Sequence, residues 1–156
     1  VSGSSPDRST TIILSMATQY KLDEAYMRMA HELAKLSTAQ RAKVGALIFR
    51  DTHILSEGYN GTPVGFSNDC EYYDHVEEFR TKREVIHAES NAITKLAKST
   101  GSSAGATLYV TLAHCFECAK LIIQSGINRV VYLESYRDKS GLHLLEQAGV
   151  QISPKY

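Results

Sequence analysis

The chain has 156 residues, of which 43% are hydrophobic and 22% are charged. This length and composition fit one globular domain with one core, and no apolar run is long enough to span a bilayer. Lys+Arg and Asp+Glu both number 17, so the formal net charge is zero with His neutral. The balance argues against a protein that coats nucleic acid, because such a protein carries an excess of basic residues. We therefore expect neither a nucleic-acid nor a membrane partner.

Residues 1–15 are rich in Ser and Thr and precede Met16. They lack the charged start, apolar middle and small-residue cleavage pattern of a secretory signal. We expect a disordered leader here, before a natural start at Met16. A natural disordered tail is the alternative. Residues 16–156 then form the single domain.

The first half of the domain predicts a helix, two strands and two irregular segments. Apolar residues recur at helical spacing within 23–36, which contains no Gly or Pro. The apolar run 44–49 suits a buried strand, and a turn leads from it into a second strand at 53–57. Residues 58–65 hold three glycines and one proline, which is loop composition. Residues 68–85 are polar and irregular, and we interpret them as an excursion with helical character.

The second half alternates helices with strands. In chain order it predicts a helix, a strand, a helix, a strand, a helix and a strand, at 87–98, 106–112, 115–124, 129–133, 141–148 and 150–153. Alternation of this kind predicts an α/β sandwich with a mixed sheet. The sequence shows no internal repeat and no boundary of a second domain.

Four residues near the starts of two predicted helices form the most informative pattern. His87 and Glu89 open one helix, and Cys115 and Cys118 open the next. Cysteines three positions apart lie on one side of a helical turn, and a helix start favours thiolates, the form that zinc binds. One imidazole and two thiolates leave one position of a tetrahedral zinc open for a water. Glu89 is then placed to move protons at that water.

Each fragment of this pattern also has a simpler explanation. His-x-Glu is common by chance, and Cys-x-x-Cys is also half of a structural zinc site or a redox pair. A structural site needs a fourth ligand, for which Cys70, His75 and His114 are the candidates. In their order and spacing, however, the fragments match zinc deaminases that act on nucleobases. We therefore predict a catalytic Zn²⁺ with Glu89 as the proton-transferring group.

Five segments of the chain carry a family resemblance: STAQRAKVGA (37–46), GYNGTPVG (58–65), HAESNAI (87–93), TLAHCFECAKLII (111–123) and ESYR (134–137). With them the chain resembles the deoxycytidylate (dCMP) deaminase family over nearly all of 22–156. The resemblance implies the three-layer α/β/α cytidine deaminase-like fold, with a central mixed five-stranded sheet. It also implies hydrolysis of dCMP to dUMP and ammonia in the supply of dTMP precursors. The implied location is the cytoplasm, or the host cytoplasm if the protein is viral.

The same resemblance implies roles for further residues. Arg41 matches the arginine that holds the 5′-phosphate, and Asn60 matches the asparagine that contacts sugar and base. Tyr136 and Arg137 match a pair that closes over the nucleotide near its phosphate, and Ala88 falls among the substrate-binding positions. Guanidinium groups pair well with phosphate oxygens, which agrees with these roles. Without the family, Arg41 suggests a surface ion pair, and the Tyr-Arg pair suggests a solvated strand end.

Members of the family are commonly hexamers that dCTP activates and dTTP inhibits, with Mg²⁺. The resemblance therefore implies a homo-oligomer with an effector site around the Gly-Tyr-Asn-Gly loop. Gly61 and Thr62 would approach an effector triphosphate there through their backbone N–H groups. The alternative is a tight turn that orients Asn60, since some relatives are unregulated.

Two features stand outside the family pattern. The family has proline directly before the first cysteine, where this chain has His114. Histidine loosens the approach to Cys115 and adds a potential ligand, which would remove the open zinc position. Cys70 and His75 lie where some relatives carry a second, structural zinc. No complete ligand set is visible there, and we predict a buried free thiol for Cys70.

Two other functions compete with dCMP deamination. A tRNA-adenosine or free-base deaminase shares the zinc core, but it would need a basic groove or lack a phosphate clamp. A non-catalytic, zinc-stabilised binding module is the third hypothesis. Glu89 argues against that module, because a structural site has no use for a carboxylate beside the metal.

Overall fold

The computed structural model describes residues 3, 5, 7–113 and 115–154, without the side chains of residues 10–14. The helices are α1 (Arg8–Ala34), α2 (Ala88–Ala97), α3 (Phe116–Gln124) and α4 (Ser140–Gln147). The strands are β1 (Gly45–Arg50), β2 (His53–Tyr59), β3 (Glu71–Tyr73), β4 (Phe79–Thr81), β5 (Thr107–Ala113), β6 (Arg129–Ser135) and β7 (Gln151–Pro154). Among the helices of the described residues, none has the length and apolar character of a membrane span.

The central sheet has five strands in the order β2-β1-β5-β6-β7. β1 is antiparallel to β2 and β5, whereas β5, β6 and β7 are parallel. The two parallel connections pass through α3 and α4, since parallel neighbours need a crossover. The carboxyl ends of β2, β5 and β6 therefore meet the amino end of β1 at one edge of the sheet. This mixed sheet confirms the predicted three-layer fold.

Alternating side chains of the strands divide the core into two layers. On one face, Leu47, Tyr109 and Val131 pack against Met27 and Ala30 of α1. The opposite face packs against α2, α3 and α4, through Ile48, Val110, Val130, Ala92, Ile122 and Leu145. Each fully buried Leu, Ile or Val contributes about 1.5–3 kcal/mol. The two layers therefore hold the sheet between helices independently of any ligand.

A partly buried ion pair joins α1 to the sheet. Arg129 donates from Nη1 and Nη2 to the two carboxylate oxygens of Asp23, at 2.9 and 2.6 Å. The hydroxyl of Tyr109 donates to Oδ1 of the same carboxylate at 2.7 Å. Burial alone would raise the pKa of Asp23, but hydrogen bonds from Arg129, Tyr109 and Gln19 outweigh it and lower that pKa. The carboxylate thereby links α1 to β5 and β6.

The first helix is longer than predicted. It begins at Arg8 instead of residue 23, so residues 8–15, where we expected a disordered leader, are helical. Residues 8–22 contain neither Gly nor Pro, so no helix breaker interrupts them. Residues 15–22 of this helix are exposed, although Met16, Tyr20 and Leu22 are large and apolar. The start at Met16 stays a prediction.

The segment 68–85 is not helical, and the prediction there was wrong. It contains the hairpin β3–β4, in which Glu71 pairs with Thr81. Asp74 closes the turn, because its Oδ1 accepts the N–H groups of Val76 at 3.0 Å and Glu78 at 2.9 Å. This Asx turn competes with helix formation. β2 also continues to Tyr59, beyond the start of the loop predicted at residue 58.

Candidate active site

His87, Cys115 and Cys118 come together at the sheet edge where β5 ends. The Nδ1 atom of His87 lies 3.2 Å from the Sγ atoms of both cysteines. All three potential ligand atoms lie within 4.8 Å of one another, the one such His, Cys, Asp and Glu cluster in the described ranges. A tetrahedral zinc would hold its nitrogen and sulfur ligands about 3.6 Å apart. The three side chains therefore fit this ion as the sequence predicted.

Two helix starts position the three ligands. His87 is the N-cap of α2, and Cys115 is the N-cap of α3, directly after β5. The Sγ atom of Cys115 accepts the backbone N–H of Cys118 at 3.3 Å, which is the hydrogen bond of an N-cap side chain. The positive end of the helix dipole stabilises a thiolate there. His114 lies outside the described residues, so its role as a fourth ligand stays a hypothesis.

The pKa values of the three ligand groups depend on one another. Hydrogen bonds from the Cys118 thiol and from His87 lower the pKa of Cys115 to about 4, against the effect of burial. The hydrogen bond to Cys115, together with burial, raises the pKa of Cys118. The hydrogen bond to Cys115 also raises the pKa of His87, and the charge of Glu89 acts in the same direction. A metal that binds all three groups would therefore release protons.

Glu89 lies beside the ligands without being one of them. It stands in the first turn of α2 and is 3% exposed. Its negative charge raises the pKa of both His87 and Cys118, and it lines the same cavity as His87. A buried carboxylate that borders a metal site can exchange protons with a reacting group there.

The start of α2 is held closely against β2. A Cβ atom on Gly58 would lie 2.5 Å from the carbonyl oxygen of Ala88 and 2.6 Å from the backbone nitrogen of Ala92. Only glycine permits this approach. The hydroxyl of Ser56 also donates to the carbonyl oxygen of Ala92 at 2.7 Å. These contacts fix the position of His87 and Glu89 relative to the sheet.

A cavity of about 220 Å³ opens beside the metal-ligating cluster. Six of the residues predicted from the sequence line it, namely Arg41, Asn60, His87, Ala88, Glu89 and Tyr136. They come from the loop before β1, the end of β2, the start of α2 and the end of β6. Arg137 is exposed and is not among the described residues that line the cavity.

Arg41 and Tyr136 border the cavity from different segments. Arg41 is exposed, and its Nη1 donates to the hydroxyl of Thr81 at 3.3 Å. Burial raises the pKa of Tyr136, the negative charges of Glu89 and the cysteines raise it further, and Arg41 lowers it. Tyr136 therefore lies within electrostatic reach of both Glu89 and Arg41.

Asn60 fixes the main chain that precedes β1. Its Nδ2 donates to the carbonyl oxygen of Ala42 at 2.8 Å, and its Oδ1 accepts the N–H of Val44 at 2.9 Å. The side chain thus supports the loop that carries Arg41. Asn60 also lines the cavity. Its contact with the sugar and base of a nucleotide stays a prediction.

Sequence reasoning missed Glu71 and Thr81, which the β3–β4 hairpin places in the cavity wall. Glu71 is 8% exposed, and its Oε1 accepts the N–H groups of Gln40 at 2.8 Å and Arg41 at 3.1 Å. These partners lie far away in the sequence, so no local pattern indicated them. Tyr72 and Tyr73 before the turn and Phe79 after it were the available signal for the hairpin.

Gly61 and Thr62 line a second cavity, of about 470 Å³, together with Lys95 and Lys98. The N–H of Gly61 donates to the carbonyl oxygen of Ile86 at 3.1 Å, so it is already paired within the chain. The hydroxyl of Thr62 donates to the carbonyl oxygen of Ser67 at 2.7 Å. The effector role of the loop stays a prediction.

Cys70 is a free, fully buried cysteine whose Sγ lies 3.5 Å from the hydroxyl oxygen of Thr38. His75, in the β3–β4 turn, is exposed. The described residues hold no cluster of metal-ligating groups that includes Cys70 or His75.

Comparison with known proteins points to one family. The chain matches the family model "Cytidine and deoxycytidylate deaminase zinc-binding region" over residues 20–134. It is 33% identical to the deoxycytidylate deaminase of Enterobacteria phage T4, over 81% of this chain and 86% of the relative. It is 38% identical to ComE operon protein 2 of Bacillus subtilis (strain 168), over 83% of this chain and 69% of the relative.

A solved structure shows the same fold. The dCMP deaminase from the cyanophage S-TIM5, in complex with dCMP and dUMP, matches with a TM-score of 0.80 and 39% sequence identity. The match covers 86% of this chain and 96% of that one.

Proposed function

Because the chain belongs to the cytidine and deoxycytidylate deaminase family, we propose that it hydrolyses dCMP to dUMP and ammonia. The observation that carries the proposal is the buried carboxylate of Glu89 beside three metal-ligating groups, in a cavity that Arg41 also lines. The relative from phage T4 is named for this reaction, and the structure from S-TIM5 holds dCMP and dUMP. Both support the same substrate.

The chemistry divides between the metal and Glu89. When His87, Cys115 and Cys118 bind it, Zn²⁺ supplies the Lewis acidity that makes water a nucleophile at neutral pH. Glu89 takes one proton from the attacking water and delivers it to ring N3, and it then passes the second proton of that water, from the new C4 hydroxyl group, to the departing amine. A C4–O bond forms and the bond from C4 to the exocyclic amino nitrogen breaks, so water and dCMP give dUMP and ammonia. Burial of Glu89 keeps this proton transfer away from bulk solvent.

The remaining residues of the cavity place the nucleotide. We assign the 5′-phosphate to Arg41, since its exposed guanidinium offers donors in addition to the one that Thr81 accepts. We assign Tyr136, which lines the cavity, and Arg137, which follows it directly and is exposed, to a pair that closes over the phosphate. Asn60 and Ala88 line the cavity next to Glu89, where we assign them to the sugar and the base.

Regulation is part of the proposal. We place a dCTP (activator) or dTTP (inhibitor) site, with Mg²⁺, at the second cavity, where Gly61 and Thr62 lie with Lys95 and Lys98. Lys98 supports this choice, because ammonium groups bind phosphates, whereas Lys95 already pairs with Glu57. We also propose a homo-oligomer, a hexamer, that acts in the cytoplasm in the supply of dTMP precursors.

An ammonia-release assay on cytidine, deoxycytidine, CMP and dCMP tests the proposed substrate. The zinc-loaded protein should turn over dCMP with the highest kcat/KM. A preference for either nucleoside would contradict the phosphate assignment. Each reaction is repeated with dCTP and with dTTP plus Mg²⁺, and unchanged rates would contradict regulation.

A further inference from the structure

Glu71 is a buried carboxylate whose two oxygens have different surroundings. Oε1 accepts two backbone N–H groups, from Gln40 and Arg41. Oε2 is buried and has no hydrogen-bond partner within the part of the chain that the structure describes. A buried, unpaired carboxylate oxygen is costly, so a donor is expected at such a site. Glu71 lines the cavity to which we assign dCMP, so the nucleotide can supply that donor.

The chemistry of dCMP identifies the donor. Its phosphate is mostly a dianion at neutral pH, because the second pKa is about 6, and it offers only acceptors. Cytosine O2 and ring N3 are acceptors as well. The 4-amino group is the leaving group and must lie beside Glu89 and the metal ligands. The 3′-hydroxyl of the sugar is the one donor that remains.

We propose that Glu71 is a specificity-determining residue that accepts a hydrogen bond from the 3′-hydroxyl of the nucleotide sugar. The inference rests on the proposed function of the same cavity. Through Oε1 the same carboxylate holds the N–H of Arg41, so one side chain positions the phosphate-binding loop and contacts the sugar. A hydrogen bond to a charged acceptor typically changes affinity about tenfold to hundredfold.

The test compares dCMP with 2′,3′-dideoxycytidine 5′-monophosphate, which lacks the 3′-hydroxyl. The zinc-loaded wild-type protein should lose at least about tenfold in kcat/KM on the dideoxy substrate. In Glu71→Gln the ratio of kcat/KM for dCMP to kcat/KM for the dideoxy substrate should shrink, because the hydrogen bond loses its charge. In Glu71→Met it should fall to about one, because no acceptor remains. A purely structural role would slow both substrates equally and leave the ratio unchanged.

Glu78→Gln is the matched control, because it removes the same charge from an exposed residue of the same hairpin. It should keep the wild-type ratio. Equal kcat/KM for both substrates in the wild-type protein would overturn the inference even if the Glu71 variants do not fold, while dCMP deamination itself would stand. Absence of any dCMP turnover would overturn the inference together with the proposed function.

Discussion

Arg41 is held in place by contacts at both ends of the residue. Its backbone N–H donates to Glu71, and its Nη1 donates to Thr81. The guanidinium therefore reaches the cavity from a fixed loop, although it is exposed to solvent. Such an arginine can pair with a phosphate at little cost in conformational entropy.

Arg41→Ala should lower kcat/KM for dCMP about tenfold to hundredfold, because a charge-assisted hydrogen bond to the phosphate is lost. Turnover of deoxycytidine, which has no phosphate, should change little. Ammonia release on the two substrates measures both effects. Arg28→Ala removes the same charge from an exposed position on α1 and should alter neither rate. Equal losses on both substrates in Arg41→Ala would argue against a phosphate contact.

At the scale of elements, the contact between β2 and α2 places the catalytic groups. Gly58→Ala introduces a Cβ atom 2.5 Å from the carbonyl oxygen of Ala88. Backbone cannot yield as a flexible side chain does, so α2 must move away from β2, at about 1–3 kcal/mol of stability. We expect lower kcat as well, because His87 and Glu89 move with the helix.

Thermal unfolding and ammonia release measure the two effects of Gly58→Ala. Gly61→Ala is the control for stability, since a Cβ atom there meets nothing within 4 Å. Wild-type stability and kcat in Gly58→Ala would show that α2 does not depend on this close approach.

The ion pair between Asp23 and Arg129 supports a prediction about pH. Its side chains are only 14% and 16% exposed, so Asp23→Asn leaves a largely buried guanidinium unpaired and should cost about 3 kcal/mol. The folded protein lowers the pKa of Asp23, so the stabilisation is complete above the unfolded pKa of about 3.9 and is lost as pH falls through the folded value. The difference in stability between wild type and variant should therefore be constant from pH 7 to about 5 and shrink below about 4.

Urea unfolding across that pH range measures the difference. Glu32→Gln is the matched control, because it breaks an exposed pair with Lys35 on the same helix and should cause no measurable loss. A constant difference down to pH 3 would mean that the Asp23 charge is not the source of the stabilisation.

The sequence predicted the elements that have a strong local pattern. Apolar periodicity located α2, α3 and the strands β5 and β6, and the motif spacing brought His87, Cys115 and Cys118 together. The β3–β4 hairpin was missed because its pairing depends on an Asx turn at Asp74, which composition alone does not reveal. Glu71 was missed for a related reason, since its partners belong to a segment that only the tertiary fold brings near.

At the scale of the whole molecule, the metal site lies at the edge of a sheet that two apolar layers already stabilise. We therefore expect the protein to stay folded when a chelator removes zinc, with a lower Tm because the folded state loses a bound ligand. Activity should disappear, and added Zn²⁺ should restore both properties. Circular dichroism melting and ammonia release, before and after reconstitution, check this. An unfolded apo-protein would mean that the metal, rather than the core, holds the fold.

Metal content tests the number of zinc sites. The wild type should hold one zinc per chain, from the single His/Cys/Cys cluster in the described part of the chain. Cys118→Ala should lose it, whereas Cys70→Ala, which removes a buried thiol outside the cluster, should keep it. Two zinc ions per wild-type chain, with one lost in Cys70→Ala, would instead show a second site at Cys70.

The turnover of dCMP by zinc-loaded wild type and Glu89→Gln tests the central claim most directly. Gln has nearly the same shape but cannot take a proton from water, so we expect equal zinc content and a kcat reduced by about 10²–10⁴-fold. Wild-type turnover in Glu89→Gln with full zinc content would contradict the role of Glu89 in proton transfer.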